Sequence, residues 1–318
     1  MQLKQDIIIQ TVFIVPPKVP LLDMTGPATI FHEAYRYGAP VRVLFSSIFP
    51  CETTADSSCM LSFYNLTPFD QLMLNAGDVV FVPGFDLSLL SDTAFKNSSA
   101  PFRLWLNAQH KKGVIICSVC TGAFLLAETG LLTGRACTTH WNYTDLFKRN
   151  YPQAKLLTNR LFVHQDSIYT SAGMSSGIDL SLYLIEHFWG PHFATLIAKE
   201  VVIYFRRALD DPQLNIFTQY RNHLEHRIHV VQSLLSQSLQ QKFTIEQLAD
   251  KVYMSKRNLT RLFKQTTQIT IGAYINQLRA EYAKKLLEEG HSLQTAAVHC
   301  GLKSAKNLKN LIGRGKRA

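Results

Sequence analysis

We expect neither a membrane span nor an export signal at the start of this 318-residue sequence. The apolar, β-branched run at residues 7–15 is shorter than the ~20 residues that a transmembrane helix needs, and no small-residue cleavage site follows it. Such a run is typical of a buried strand in a parallel sheet. We therefore expect no membrane association and a cytoplasmic protein with reduced thiols.

The six cysteines lack the arrangement of a zinc site. Cys117 and Cys120 have CxxC spacing, but no second pair and no histidine cluster accompany them. We therefore predict neither a metal site nor a cofactor.

Acidic residues are scarce in the last third of the chain. Residues 222–318 hold 16 Lys and Arg but only 6 Asp and Glu, whereas residues 1–221 hold 17 of each class. The formal charge of +10 therefore lies entirely on the carboxyl-terminal part, as binding of phosphates requires. A basic helix on a membrane surface is the rival interpretation, but turns break the apolar faces into short packing helices.

Residues 243–264 have the pattern of a helix-turn-helix motif. A helix starts at Thr244, with Gln247 in place for a capping box, and after a turn Ser255 caps a second helix. The outer face of that second helix is rich in hydrogen-bond donors, which suits contacts with phosphates and base edges in a major groove. Its predicted DNA-binding residues are Lys256, Arg257, Asn258, Thr260, Arg261 and Lys264.

The same pattern repeats after one long helix at about residues 272–289, which Gly290 ends. Ser292 caps a short helix and Ser304 caps the next, so two helix-turn-helix motifs stand in tandem. A helical bundle with a solvated basic face is the alternative. The predicted DNA-binding residues of the second motif are Ser304, Lys306, Asn307 and Lys309.

This tandem arrangement resembles the DNA-binding domain of AraC/XylS-type transcription regulators, over about residues 225–311. The resemblance implies that DNA is the output partner. It rests on the residues Ala249, Met254, Ser255, Leu259 and Phe263, on Leu278, Arg279, Ala283, Leu286 and Leu287, and on Ala296, Ala297, Cys300, Gly301, Leu302, Ser304, Asn307 and Leu308.

The carboxyl-terminal end departs from that family, whose second recognition helix usually leads through a Gly-x-x-Pro turn into a further helix. Here Gly313 and Gly315 predict an early end of the helix and an apparently truncated domain. We expect Leu308, Leu311 and Ile312 to lack covering surface, so that the second motif is held more loosely and adds mainly electrostatic attraction.

The amino-terminal part predicts an α/β domain with a parallel sheet and helices on both faces, as in flavodoxin-like folds. Buried strands alternate with helices up to about residue 128, and a small hairpin at residues 156–172 follows. Further helices are predicted from 173 to 189 and from 192 to 207. The predicted domains are 1–207, a linker at 208–224, and 225–318.

Chemistry in parallel sheets gathers at the carboxyl ends of the strands. Asp23, the turn around Gly84, and Cys120 are predicted to meet there. Cys120 stands on a sharp strand-to-helix turn, where backbone N–H groups and the helix dipole favour a thiolate. The N–H groups of Thr121 and of a residue near Gly84 are predicted to point at the same place, as in an oxyanion hole.

Several runs in this domain resemble the PfpI/class I glutamine-amidotransferase-like fold, in the version joined to an AraC-type domain in regulators of amine and amino-acid catabolism. The resemblance implies a sensor domain that binds a small amine or amino-acid inducer, and a homodimer. The runs are residues 22–27, 82–84, 120–127, 130–135 and 138–141.

The resemblance leaves catalysis open. In peptidase-like members a His directly follows the Cys at this strand-to-helix turn, whereas Thr121 follows Cys120 in this chain. Related hydratases share the Thr-Thr-His-Trp run and use an Asp like Asp23, so Cys120, Asp23 and His140 are the catalytic candidates of an alternative, a cysteine-dependent hydratase or amidase. Packing of Cys120 and His140 and helix capping by Asp23 are the ordinary explanations.

We favour a ligand-responsive regulator without enzymatic activity, because a sensor needs only the pocket. Ser175 and Ser176 are included in that pocket because helix amino termini attract anionic groups, although helix capping explains them equally well. The predicted ligand-binding residues are Asp23, Gly84, Cys120, Thr121, Ser175 and Ser176.

Overall fold

A computed structural model describes residues 8–203, 206–209, 211–213, 216–221, 223–241, 243–288 and 290–315. The chain divides into two compact units, Met1–Gln213 and Leu214–Ala318. Within the described ranges, no helix combines the length and the apolar content that a membrane span requires.

The first unit contains a seven-stranded sheet. The sheet strands are β1 (Ile9–Val15), β2 (Val41–Ser47), β5 (Thr67–Pro68), β6 (Val79–Val82), β7 (Ile115–Val119), β10 (Phe162–Gln165) and β11 (Ile168–Ser171). They lie in the order β10-β11-β7-β6-β1-β2-β5, and every neighbouring pair is parallel except β10 with β11. The predicted parallel sheet and the predicted hairpin are therefore confirmed; Ile7, the first residue of the predicted first strand, lies outside the described residues.

Helices cover both faces of this sheet, each over its own apolar core. In one core, Phe13 and Phe81 stack with ring centroids 4.9 Å apart, and Phe31 of the first helix meets them edge-on. The helices of this unit are α1 (Leu21–Arg36), α2 (Thr93–Ser98), α3 (Ala100–Lys111), α4 (Gly122–Glu128), α5 (Thr144–Asn150), α6 (Ser176–Trp189) and α7 (Pro191–Glu200). Two small ribbons complete it: β3 (Ala55–Asp56) with β4 (Ser62–Phe63), and β8 (Ala136–Cys137) with β9 (Lys155–Leu156).

Three helix ends differ from the sequence prediction. Helix α1 begins at Leu21 rather than at residue 28, so Asp23 lies in its first turn and does not cap it. Helix α6 begins at Ser176, after a turn at residues 173–175. Helix α7 ends at Glu200. Two residues later, Val202 takes a left-handed backbone conformation (φ 56°), which is incompatible with a continued right-handed helix.

Every regular element in the described residues of the second unit is a helix. The capping box of Thr244 and Gln247 is present, and Ser255, Ser292 and Ser304 accept the N–H bonds expected of helix caps. The helices are α8 (Ile216–Gln219), α9 (His226–Gln237), α10 (Ile245–Lys251), α11 (Lys256–Thr267), α12 (Ile271–Glu288), α13 (Leu293–His299) and α14 (Ala305–Gly315).

The expected early end of the last helix is wrong. Helix α14 continues through Gly313 to Gly315, since a helix tolerates glycine where its other residues pack. Leu308 is fully buried among residues of α12 and α13, and Ile312 packs at the margin of the same cluster. The predicted exposure of Leu308 is therefore also wrong, while the looser attachment of the second motif stays a prediction.

Candidate functional site

Cys120 lies at the elbow between β7 and α4, at the carboxyl edge of the sheet. Its φ of 58° falls in the left-handed region, where residues other than glycine are uncommon and cluster at functional sites. The elbow is held on both sides, because the Cys120 N–H donates to Ser171 O (3.1 Å) and the Thr139 hydroxyl donates to Cys120 O (2.9 Å). The predicted sharp turn at Cys120 is thus present and tightly anchored.

Asp23 is buried beside this elbow, with 1% of its surface exposed. Its Oδ1 accepts a hydrogen bond from the Met174 N–H (3.0 Å), while its buried Oδ2 accepts no well-aligned hydrogen bond from any described residue. Burial raises the pKa of Asp23 to about 6, against smaller opposite effects from the nearby Cys120 thiol and the Met174 and Gly84 amides. A buried carboxylate with one unpaired oxygen is costly unless a ligand satisfies it.

The surroundings of Cys120 favour the neutral thiol over the expected thiolate. Burial of the sulfur and then the negative charge of Asp23 raise its pKa well above the ordinary range, and these effects exceed those of the Thr121 and Met174 amides. A neutral thiol is a poor nucleophile, so this geometry fits a residue that lines a site better than one that attacks a substrate.

Thr121 and Gly84 shape the site. The Thr121 hydroxyl accepts from Phe85 N–H and donates to Phe85 O, both at 2.9 Å, so it secures the turn after β6 and is not available to a ligand. A methyl group on Gly84 would stand 2.3 Å from Asp23 Oδ2 and 3.3 Å from Cys120 Cβ. Glycine is therefore required at position 84 for the close approach of this turn to the carboxylate.

The three remaining predicted site residues are His140, Ser175 and Ser176. His140 packs against Gly173, and its Nδ1 accepts the Asn142 N–H (3.3 Å); burial lowers its pKa. Ser176 Oγ closes the turn before α6 through the Gly173 N–H (2.7 Å) and O (3.0 Å). Ser175 Oγ accepts from Arg207 Nη2 (2.9 Å). Neither serine side chain has a described hydrogen bond to Asp23, whereas the Met174 amide of this turn donates to it.

An open cleft of about 730 Å³ lies next to the buried pair. Two residues that line the cleft are hydrogen-bonded to site residues. Pro20 O accepts the Asp23 N–H (3.1 Å), and the Phe85 N–H donates to the Thr121 hydroxyl. Lys18 and Asp86, whose charged groups are 3.6 Å apart, supply opposite charges within it. The cleft is lined by Lys18, Pro20, Ser57, Ser58, Met60, Phe85, Asp86, Leu87 and Tyr143.

Sequence reasoning did not identify Met174, Thr139 or the cleft residues Lys18 and Tyr143. Met174 contributes only its backbone amide, which carries no side-chain signal, and its φ of 36° is visible only in the structure. Thr139 lies inside the Thr-Thr-His-Trp run that supported the family resemblance, so that run was the available signal.

Replacing Asp23 with Asn is expected to stabilise the protein at high pH only. Below about pH 3 the carboxyl is largely protonated in both folded and unfolded chains, so it adds no cost. As the pH rises towards 6, the Asp23 carboxyl ionises first in the unfolded chain. The free energy of unfolding of the parent therefore falls by up to about 3 kcal/mol, because folding raises the pKa of Asp23 from 3.8 to about 6. Thermal unfolding of Asp23→Asn and parent at pH 4.5 and 8 measures this; an equal melting difference at both values contradicts it.

The face predicted to bind DNA is exposed on α11. Lys256, Arg257, Asn258, Arg261 and Lys264 are all solvent-exposed. Lys256 Nζ, however, pairs with Glu246 Oε1 of α10 at 2.6 Å. The two arginines, one helical turn apart, are thus the cations of this face best placed to meet bases.

Two predicted DNA contacts are engaged within their own helices. The Thr260 hydroxyl donates to Lys256 O, and Ser304 Oγ accepts the Asn307 N–H at 3.3 Å. Lys306, Asn307 and Lys309 of α14 are exposed. Tyr253, at the turn between α10 and α11, is 98% exposed, which sequence reasoning did not single out.

Comparison with known proteins agrees with this architecture. The DJ-1/PfpI family model matches residues 10–187, and a helix-turn-helix domain model matches residues 248–314. A THiJ/PfpI family protein from Pseudomonas syringae has the same fold, with a TM-score of 0.53 and 20% identity over 72% of this chain and 86% of that one.

Among relatives, the transcriptional regulator CdhR of Pseudomonas aeruginosa is 30% identical over 73% of this chain and 67% of its own length. The regulator GbdR of the same species is 30% identical over 63% of this chain and 54% of its own, so this chain spans about half to two thirds of these relatives. An isonitrile hydratase from Pseudomonas putida is 28% identical over 61% of this chain and 78% of its own length.

CdhR and GbdR are named transcriptional regulators, and the helix-turn-helix match accounts for the basic carboxyl-terminal part, which an amidase or hydratase does not need. The chain belongs to the DJ-1/PfpI family, in its group of AraC-type transcriptional regulators that carry a carboxyl-terminal helix-turn-helix domain.

Proposed function

We propose that the first unit binds a small nitrogenous metabolite, of the amine or amino-acid type, and that this molecule changes how the second unit binds DNA. The observation that carries the proposal is the buried Asp23 carboxylate with its unpaired Oδ2. A ligand that donates a hydrogen bond would complete the bonding of this oxygen, since no described residue donates a well-aligned one to it.

A cationic nitrogen fits this position better than a neutral group. An ammonium brought next to Asp23 lowers the raised pKa of the carboxylate and repays part of the cost of burying its charge. An amino acid also carries a carboxylate, for which Lys18 offers a cation, while Phe85 and Tyr143 offer aromatic surface in the cleft. Gly84 and Cys120 then line the inner end of the site as neutral walls.

In the second unit, α11 enters the major groove with Arg257 and Arg261 towards base edges and Lys264 towards phosphate. Helix α14 supplies Lys306, Asn307 and Lys309, which strengthen binding mainly through charge. A homodimer, inferred from the family resemblance, pairs two such domains on DNA; the molar mass of the protein in solution checks it.

A thermal-shift screen of the full chain tests the sensor. Amines and amino acids are compared with neutral isosteres at pH 7.5, and a cationic hit should raise the melting temperature, since it binds only the native state. Its affinity should fall about tenfold at pH 5, where only about a tenth of the Asp23 carboxyls are ionised at a pKa of about 6.

The Cys120→Ser variant gives the matched control. It should keep the affinity for a DNA fragment selected from genomic DNA of the source organism and alter only the response to the hit. A screen in which neutral isosteres stabilise the chain as well as cations do would count against the proposed ligand class. Turnover of a hit by the parent that Cys120→Ser lacks would count against a pure sensor.

A further inference from the structure

The last residues of the first unit lie against its surface and are bonded to it at several points. We call residues 206–209 and 211–213 the strap. Arg207 forms an ion pair with the buried Asp179 (Nη2–Oδ2 2.6 Å), and its own N–H donates to Asp179 Oδ1 (3.1 Å). The Leu161 N–H donates to Asp211 O (2.9 Å). The strap is therefore a built part of this unit, and Leu214, where the second unit begins, follows it directly.

One connection runs from the strap to the Cys120 elbow. Gln213 Nε2 donates to Thr139 O (2.9 Å) and to Thr138 Oγ1 (3.0 Å). The buried Thr139 hydroxyl in turn donates to Cys120 O (2.9 Å). Thr139 thus joins the elbow to Gln213, the final residue of the unit, through direct hydrogen bonds.

A second connection runs from the strap to Asp23. Arg207 Nη2 donates to Ser175 Oγ (2.9 Å), and the adjacent Met174 N–H donates to Asp23 Oδ1 (3.0 Å). Two hydrogen bonds between Ser176 Oγ and the Gly173 backbone (2.7 and 3.0 Å) close the turn that contains both residues. One side of this turn therefore contacts the site and its other side contacts the strap.

We propose that the strap transmits occupancy of the Asp23–Cys120 site to the DNA-binding unit, with Arg207 and Gln213 as its positioning residues. This rests on the proposed function. A ligand that pulls Asp23 away from Met174, or shifts the elbow carbonyl, changes bonds that hold both ends of the strap. The strap then has two arrangements, and the ligand selects between them.

The bonds of the strap suit such a change. Gln213 Oε1 is buried without a hydrogen-bond partner among the described residues, so the Gln213 contact is incompletely satisfied and releasing it costs less. Among the described residues, the buried carboxylate of Asp179 forms its ion pair with Arg207, so loss of that pair displaces the whole segment. Arg206, by contrast, pairs with Glu186 of α6 (2.5 Å) and has no described bond to the turn at 173–176 or to Thr139.

Hydrogen exchange of the full chain, with no ligand or DNA added, tests the proposed coupling between Asp23 and the strap. Asp23→Ala removes the acceptor of the Met174 N–H, and the exchange rates of the Arg207, Ala208 and Leu161 amides should rise by about 5- to 150-fold. Amides of α10 are the internal reference and should not change. Unaltered exchange at all three strap-linked amides overturns the proposal.

The coupling has to act in both directions. Arg207→Ala should speed the reaction of Cys120 with iodoacetamide, whereas the matched variant Arg206→Ala should leave it within about twofold of the parent. Gln213→Ala leaves the buried ion pair of Asp179 and Arg207 intact, and it should also speed the reaction of Cys120. This variant keeps the test valid if Arg207→Ala does not fold. Equal rates in Arg206→Ala, Gln213→Ala and the parent overturn the proposal.

Affinity for a selected genomic DNA fragment tests the output. Arg207→Ala and Gln213→Ala should change it by about fivefold or more, and Arg206→Ala should not. If the parent binds no fragment specifically, the proposed function and the output of the strap both fail. If DNA binding is normal and the exchange test fails, the strap proposal alone is wrong.

Discussion

Replacing both Arg257 and Arg261 with Ala is expected to weaken binding to a specific DNA site by roughly 30-fold to 10⁴-fold. Both side chains are exposed on α11, one helical turn apart, and neither has an ion-pair partner among the described residues. A good contact of arginine with a base edge is worth about 1–3 kcal/mol, and two of them give this range. Fluorescence anisotropy with the selected fragment and a scrambled one measures the loss.

Lys256→Ala is the matched control for this prediction. Lys256 stands on the same helix, but its ammonium pairs with Glu246, so its removal should weaken binding far less. The salt dependence should separate the two kinds of contact, because loss of a phosphate contact reduces its slope by about one. If the double arginine variant keeps the affinity and the salt slope of the parent, α11 is not the recognition helix.

The second large effect is expected from Gly122→Ala at the elbow. A methyl group there would stand 2.1 Å from Val82 O and 2.8 Å from Pro83 O, which are backbone atoms at the end of β6. They cannot move away easily, because Val82 is paired with Ser118 of β7 in the sheet. We expect a loss of about 3 kcal/mol, the upper end for overpacking, and a melting temperature roughly 6–12 °C lower.

Tryptophan fluorescence makes this measurement specific to the first unit, because all three tryptophans (Trp105, Trp141 and Trp189) lie in it. Gly26→Ala in α1 is the matched control. Its added methyl would meet only side-chain atoms, chiefly of Ile178 (2.9 Å), which can turn aside, and Ala is preferred over Gly in a helix by about 0.5–1 kcal/mol. Equal melting temperatures for the two variants would show that the elbow has more room than its geometry indicates.

Local patterns along the sequence determined the secondary structure and the domain types. The capping box of Thr244 and Gln247 and the cap at Ser255 involve residues three apart, so they are readable without any knowledge of the fold. The β-branched runs of β1 and β7 likewise predicted buried parallel strands. The break expected at Gly313 was wrong, because a weak local preference gave way to the packing of Leu308.

It was also predictable that Asp23, Gly84 and Cys120 lie close together, since the carboxyl ends of parallel strands meet at one edge of the sheet. Their chemistry was not. Whether Cys120 is a thiol or a thiolate depends on how deeply it is buried and on the charge of Asp23, 97 positions earlier in the chain. The amide of Met174 and the strap bonds of Arg207 and Gln213 join residues far apart in sequence. Only the tertiary structure brings them together, because burial and long-range contacts depend on the whole folded chain and leave no local pattern in the sequence.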